Sequence, residues 1–129
     1  MKIGIYDHNC PSALTPVVLF AEEDGVPFIP IDYINSFDNT DWGLDVLIVN
    51  PLCWDGNSKM WQKCAEVVSK NPQLRFIFCV TAYGHDYLLK AGVEQSDRVE
   101  FSLLGRGNAE RMHQLLKEAK SQKSEEIDT

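Results

Sequence analysis

An α/β fold, with a parallel sheet covered by helices on both faces, is what the sequence predicts, and three observations predict it. Strand-like and helix-like segments alternate from end to end, the pattern of successive βαβ units. The clearest strand segments, Val46-Leu47-Ile48-Val49 and Phe76-Ile77-Phe78-Cys79-Val80, are apolar at every position, whereas a sheet wet on one face would alternate. A length of 129 residues, with 44% hydrophobic and 24% charged side chains, is enough for one buried core in one domain. The expected boundaries are 1–120 for that domain and 121–129 for a flexible, polar C-terminal tail.

The first strand is short, Ile3-Gly4-Ile5-Tyr6, and stops at polar Asp7-His8-Asn9. Residues 14–21 read as a helix with Gly25 as its stop. Pro16 is tolerated there only in the first turn, so Thr15 as N-cap or a start near Ser12 both fit. Residues 26–31 form a second strand, which Pro27 and Pro30 demote towards a sheet edge. Residues 35–43, rich in Asn, Asp and Ser, permit one or two helical turns at most. Next come the buried strand ended by Asn50-Pro51 and a helix over 58–70, with Trp61, Cys64, Ala65 and Val68 at i, i+3, i+4 and i+7. Asn71-Pro72 closes that helix and the Phe76 strand follows. A short helix over 86–91 stops at Gly92, and residues 99–104 make a fifth strand. Asn108 is expected to cap a last helix whose apolar face is Ala109, Met112, Leu115, Leu116 and Ala119.

Charge and cysteine usage exclude several function classes. The formal charge is −7 and the isoelectric point near 4.8, so no basic face is offered to a nucleic-acid backbone. The longest apolar stretches fall far short of the roughly 20 residues that span a bilayer. Met1 to Tyr6 runs straight into polar residues, unlike a signal peptide. Cys10, Cys53, Cys64 and Cys79 include no Cys-x-x-Cys pair and no dense disulfide framework. A cytoplasmic domain with neither nucleic acid nor membrane as partner is the expectation. Cys64 and Cys79 sit in core-like runs and act there as small hydrophobes.

In a sheet of this kind, right-handed crossovers put the C-terminal end of every strand on one rim, where ligands bind. The rim collects Asp7, His8, Asn9, Cys10, Asn50, Cys53, Trp54, Asp55, Thr81, Ala82, Tyr83, His85, Gly105 and Arg106. Lys2-Ile3-Gly4-Ile5-Tyr6-Asp7-His8-Asn9 is similar to a strand ending in two adjacent acids. Asp45-Val46-Leu47-Ile48-Val49-Asn50, with Asp55-Gly56 shortly after, resembles a strand and loop carrying a phospho-accepting Asp. Val80-Thr81-Ala82-Tyr83-Gly84 resembles a fourth strand ending in a switch Thr, and Ala91-Gly92 an Ala-Gly pair before a fifth strand. In this order, over residues 2–119, the segments resemble the response-regulator receiver domain family.

That resemblance implies a three-layer α/β/α, flavodoxin-like (CheY-like) doubly wound sheet of five parallel strands. It also implies a site of four parts, and three of them depart from the family here. The acid pair is Asp7-His8, the acceptor position holds Asn50, and the Lys position falls on Gly105 with Arg106 as the neighbouring cation. Thr81 is retained. A carboxamide is a far poorer nucleophile than a carboxylate and brings no charge to a metal. The resemblance therefore implies a degenerate member, an atypical or pseudo-receiver, without aspartyl-phosphate chemistry, without Mg²⁺ or another cofactor, and not an enzyme. It would work in signal transduction by contact with another signalling protein. The face of such domains formed by the fourth helix, fifth strand and fifth helix, here with Tyr83, Tyr87, Leu88 and Phe101, would serve that partner or a homodimer.

The rival from another class is a small-ligand- or metal-binding α/β enzyme using Asp7, His8, Cys10, Asp55, Thr81 and His85 on the same rim. His8, Cys10, Cys53, Asp55 and His85 could gather as a soft-metal site, since imidazole and thiolate suit zinc, but no local ligand pair has a zinc-finger spacing. Asp7 and Asp55 suit a hard cation, although Asp7 equally fits a cap of the following helix. Cys10 precedes a helix as a reactive thiolate would, but residues 11–20 contain no Gly or Arg to cradle a phosphate. Gly105-Arg106-Gly107-Asn108 offers an anion its backbone amides, and equally reads as plain turn geometry. Among the aromatics, Trp61 has core periodicity, while Trp54, Tyr83 and Tyr87 are expected at the surface.

Overall fold

Five strands, all paired in parallel, form one sheet in the order β2-β1-β3-β4-β5. They are β1 Ile3–Asp7, β2 Phe28–Pro30, β3 Val46–Asn50, β4 Arg75–Val80 and β5 Val99–Leu103. The helices are α1 Asn39–Trp42, α2 Lys59–Lys70, α3 Ala82–Lys90 and α4 Arg106–Ile127. The computed structural model describes residues 1–7, 28–31, 34, 37–51, 59–104 and 106–127, with the backbone alone for Asp7, Phe28, Pro30, Arg106 and 122–127. The helix expected at 14–21 lies outside the described residues. The architecture is an α/β Rossmann-like one, as the strand-helix alternation predicts.

Strand alternation divides the core between the two faces of the sheet. On one face Leu47, Val49, Phe76, Phe78 and Val80 meet Met60, Trp61, Cys64 and Val67 of α2 and Leu88 of α3. On the other, Ile3, Ile5, Val46, Ile48, Ile77 and Cys79 meet Met112, Leu115, Leu116 and Ala119 of α4. Both faces of β3 are therefore buried at every position, which is why its segment is uniformly apolar. Gly4 lets side chains approach closely: a Cβ there would run into Leu44 Cδ1 and sit 3.2 Å from Leu47 Cδ1, so the buried Leu44 side chain would have to shift. Short α1 is held by Asp38, whose Oδ1 accepts from the Thr40 N–H at 2.9 Å; hydrogen bonding from the Thr40 side chain first, and from that N–H second, lowers the pKa of its carboxyl from the ordinary value.

Several boundaries differ from expectation for identifiable reasons. α3 begins at Ala82 rather than residue 86, because Thr81 caps it: its Oγ1 accepts from the Gly84 N–H at 3.2 Å. α4 begins at Arg106, so Asn108 lies inside its first turn instead of capping it. Ala109 is exposed, while Asn108 takes the buried place one residue earlier. α4 also runs on to Ile127, past the expected limit at 120, through a Lys- and Glu-rich stretch of good helix formers. On α2 the buried residues are Met60, Trp61, Cys64 and Val67, with Ala65 and Val68 half-buried beside them.

Burial of Cys64 pushes its thiol from the ordinary 9.0 up to about 12. The folded chain thus holds this proton more tightly than the unfolded chain. The contribution is complete below about pH 9, where both states are protonated, and is lost as the pH rises towards 12. Urea denaturation at stepped alkaline pH should show stability falling by up to about 1.4 kcal/mol per pH unit from this group. Cys64→Ala should flatten that slope relative to the wild type.

Candidate functional site

The strand order places β1 and β3 side by side, with β2 outside the first and β4 outside the second. Chain connections leave in opposite directions at that junction, and the crevice outside it is where open α/β sheets bind ligands. Asp7 and Asn50 are register partners at this point. The register carries on across the sheet: Val49 pairs with Phe78 and Cys79 with Ser102. Extended by one residue, the β3–β4 register sets Asn50 opposite Cys79.

Asn50 is 0% exposed, and strand alternation places it on the α4 side with Val46 and Ile48. Neither its Oδ1 nor its Nδ2 has a hydrogen-bond partner among the described residues. Leaving a buried amide unpaired costs about 1–3 kcal/mol. Its neighbours in the row are better served. Asn108 Nδ2 donates to Ser102 Oγ at 2.9 Å and to Cys79 Sγ at 3.3 Å, tying the first turn of α4 to β4 and β5.

The other rim residues are dispersed. Thr81 is half-buried and its hydroxyl oxygen serves the α3 cap. The His85 ring packs edge-on against Phe101, 5.1 Å between centroids, and its Nδ1 lies 3.5 Å from exposed Asp86. Asp7 and Arg106 are placed by backbone at the ends of β1 and α4. His8, Cys10, Cys53, Trp54, Asp55 and Gly105 lie outside the described residues. Among the described residues no three His, Cys, Asp or Glu side chains converge on a metal-sized space.

The expected partner surface needs correction. Leu88 is fully buried in the core under α3, on the face that the helix turns towards the sheet and α2. Tyr87 is half-buried, its ring 5.3 Å from that of Trp61. Phe101 is half-buried against Phe78 and His85. Among the described residues the exposed large apolar groups are Tyr83 (65%) and Leu103 (55%) at the rim end of α3 and β5, with Leu89 at the other end of α3 and Trp42 on α1 less so. No helix among the described residues is long and apolar enough to cross a membrane.

No family model matches the sequence, and no curated protein matches it either. Among solved structures, a de novo designed Rossmann 2x3 fold protein is similar with a TM-score of 0.62 and 15% identity, over 91% of this chain and 90% of that one. A protein assigned to pilus assembly (cpaE) from Burkholderia thailandensis is similar with a TM-score of 0.57 and 14% identity, over 94% and 99%. A pilus assembly-related protein from Burkholderia pseudomallei gives 0.54 and 16%, over 95% and 91%. At those identities the likeness establishes the fold alone.

Sequence reasoning missed Ser102 and Asn108 as partners of Cys79. A signal was present for Ser102. Period-2 reading of Val99-Glu100-Phe101-Ser102-Leu103 sets Glu100 and Ser102 on one face of β5, and Glu100 there accepts a 2.6 Å bond from Arg111 Nε of α4. That hydrogen bond also raises the Arg111 pKa above its ordinary value.

Proposed function

We propose that this chain is a receiver-like regulatory module, flavodoxin-like (CheY-like) in topology, that works through protein contact and not through an aspartyl phosphate. The observation that carries this reading is Asn50, a sealed carboxamide beside Asp7 at the end of the central strand. It stands where a receiver has its nucleophile. An amide nitrogen shares its lone pair with the carbonyl, and the amide oxygen bears no formal charge. Such a group neither attacks a phosphoryl donor nor helps bind Mg²⁺ as a carboxylate does. The order β2-β1-β3-β4-β5, one of the two common doubly wound orders, supports the topology. The likeness to pilus assembly proteins supports the fold on which this reading rests. Tyr83 and Leu103 are the exposed anchors of the contact face, and the partner is another signalling or assembly protein.

The test is incubation of the full chain with acetyl phosphate and Mg²⁺, read by intact mass. The expected result is an unchanged mass. A hydroxylamine-sensitive, acid-labile phosphoryl adduct would overturn the reading. Leu103→Asp is expected to abolish co-purification of the partner that the wild type retains, with no loss of folded content by circular dichroism.

A further inference from the structure

We propose that the end of β3 is the binding site of a small neutral ligand that presents a hydrogen-bond donor and an acceptor side by side, the edge of a carboxamide or of a purine base, read by Asn50. This goes beyond the contact-based reading and stands on the sheet end alone. Buried polar side chains in folded proteins are paired in the large majority of cases, and each exception asks for a reason. Asn50 is such an exception, with both polar atoms of its side chain unpaired among the described residues. Its row neighbours Ser102 and Asn108 satisfy one another, so the sheet end is not loosely built in general. The unpaired group stands at the β1–β3 junction, the crevice position where sheets of this order take their ligands.

The chemistry of the carboxamide selects the ligand. A cation would satisfy Oδ1 and leave the amino group unpaired. An anion would satisfy Nδ2 and leave the oxygen unpaired. A planar edge carrying a donor next to an acceptor satisfies both atoms at once, as when a carboxamide pairs with adenine through N6 and N7. Because Asn50 is sealed, the occupied state differs from this one at the strand end.

The experiment uses the ¹⁵N-labelled full chain, with the Asn50 side-chain NH₂ signals assigned by their loss in Asn50→Leu. Nicotinamide and adenine are titrated separately, to distinguish a carboxamide from a purine source, followed by inorganic phosphate and by Mg²⁺. The expected result is a saturable shift of the Asn50 pair with nicotinamide or adenine, accompanied by a higher melting temperature. Affinity should fall at least about tenfold in Asn50→Leu. Without ligand that variant should melt higher than the wild type, since it removes two unpaired buried atoms. Asn50→Ala serves the affinity comparison if leucine does not pack. The proposal is overturned if neither probe gives a saturable shift, if the variants bind as well as the wild type, or if phosphate or Mg²⁺ moves the pair as far. It is also overturned if the pair contacts only a bound water. Each of these readouts is separate from the mass measurement that tests the contact-based reading.

Discussion

Phe78→Ala is expected to cost about 3–5 kcal/mol of folding stability, a large part of the roughly 5–15 kcal/mol that holds a domain of this size together. Phe78 is 1% exposed and lies in the middle of the larger core cluster, between the sheet and α2 and α3. Its ring stacks on Phe76 at 5.9 Å and meets Phe101 edge-on at 6.0 Å. Truncation removes both ring contacts and leaves a cavity walled by β-strand side chains, which relax little because their backbones are fixed in register. Urea denaturation followed by far-UV circular dichroism should show the midpoint falling with the slope unchanged. A loss below about 1 kcal/mol would mean that the core closes over the gap, contrary to the packing described. The same substitution at Tyr83, which is 65% exposed, should stay within about 0.5 kcal/mol.

What the sequence made legible follows from where local and tertiary demands agree. In Val46-Leu47-Ile48-Val49 the β-branched residues, the uniform burial and the Asn50-Pro51 stop all point the same way, and β3 is found over Val46–Asn50. The edge position read from Pro27 and Pro30 likewise agrees with β2 as an outer strand. Where two roles compete for one residue, its type alone does not decide between them. By resemblance Thr81 reads as a switch residue at a strand end, which hides its capping role and with it the start of α3 at Ala82. Asn108 by type suits a cap, whereas cross-sheet register supplies Ser102 and Cys79 as stronger claims on its side chain. The position of Asn50 at the sheet end was legible from the strand that precedes it. Its unpaired state was not, because that depends on which side chains the neighbouring strands and α4 bring alongside.

Arg98 carries the second large effect, and nothing in its local sequence announces it. Its Nη1 donates to the carbonyl oxygens of Asn71 at 3.3 Å and Leu74 at 3.2 Å, and its Nη2 to that of Val68 at 3.0 Å. Val68 belongs to the last turn of α2, where carbonyls have no partner within the helix. Asn71 and Leu74 line the turn into β4, and the guanidinium also lies 5.8 Å from the centre of the Phe76 ring. One cation from the start of β5 thus closes a helix end, a turn and a strand start at the N-terminal pole of the sheet, opposite the candidate site. Charge-assisted hydrogen bonds contribute about 1.5–3 kcal/mol when intact, and partial exposure reduces what each of the three adds here. Arg98→Ala is expected to cost about 2–4 kcal/mol in urea denaturation. Amides in the 67–74 segment should lose hydrogen-exchange protection before those of α4. Arg98→Lys separates charge from geometry: a point-like ammonium reaches one or two of the carbonyls but not all three in the planar fork, so it should recover less than half of the loss. Full recovery by lysine would show that charge near the end of α2, and not the three-way clamp, supplies the stability.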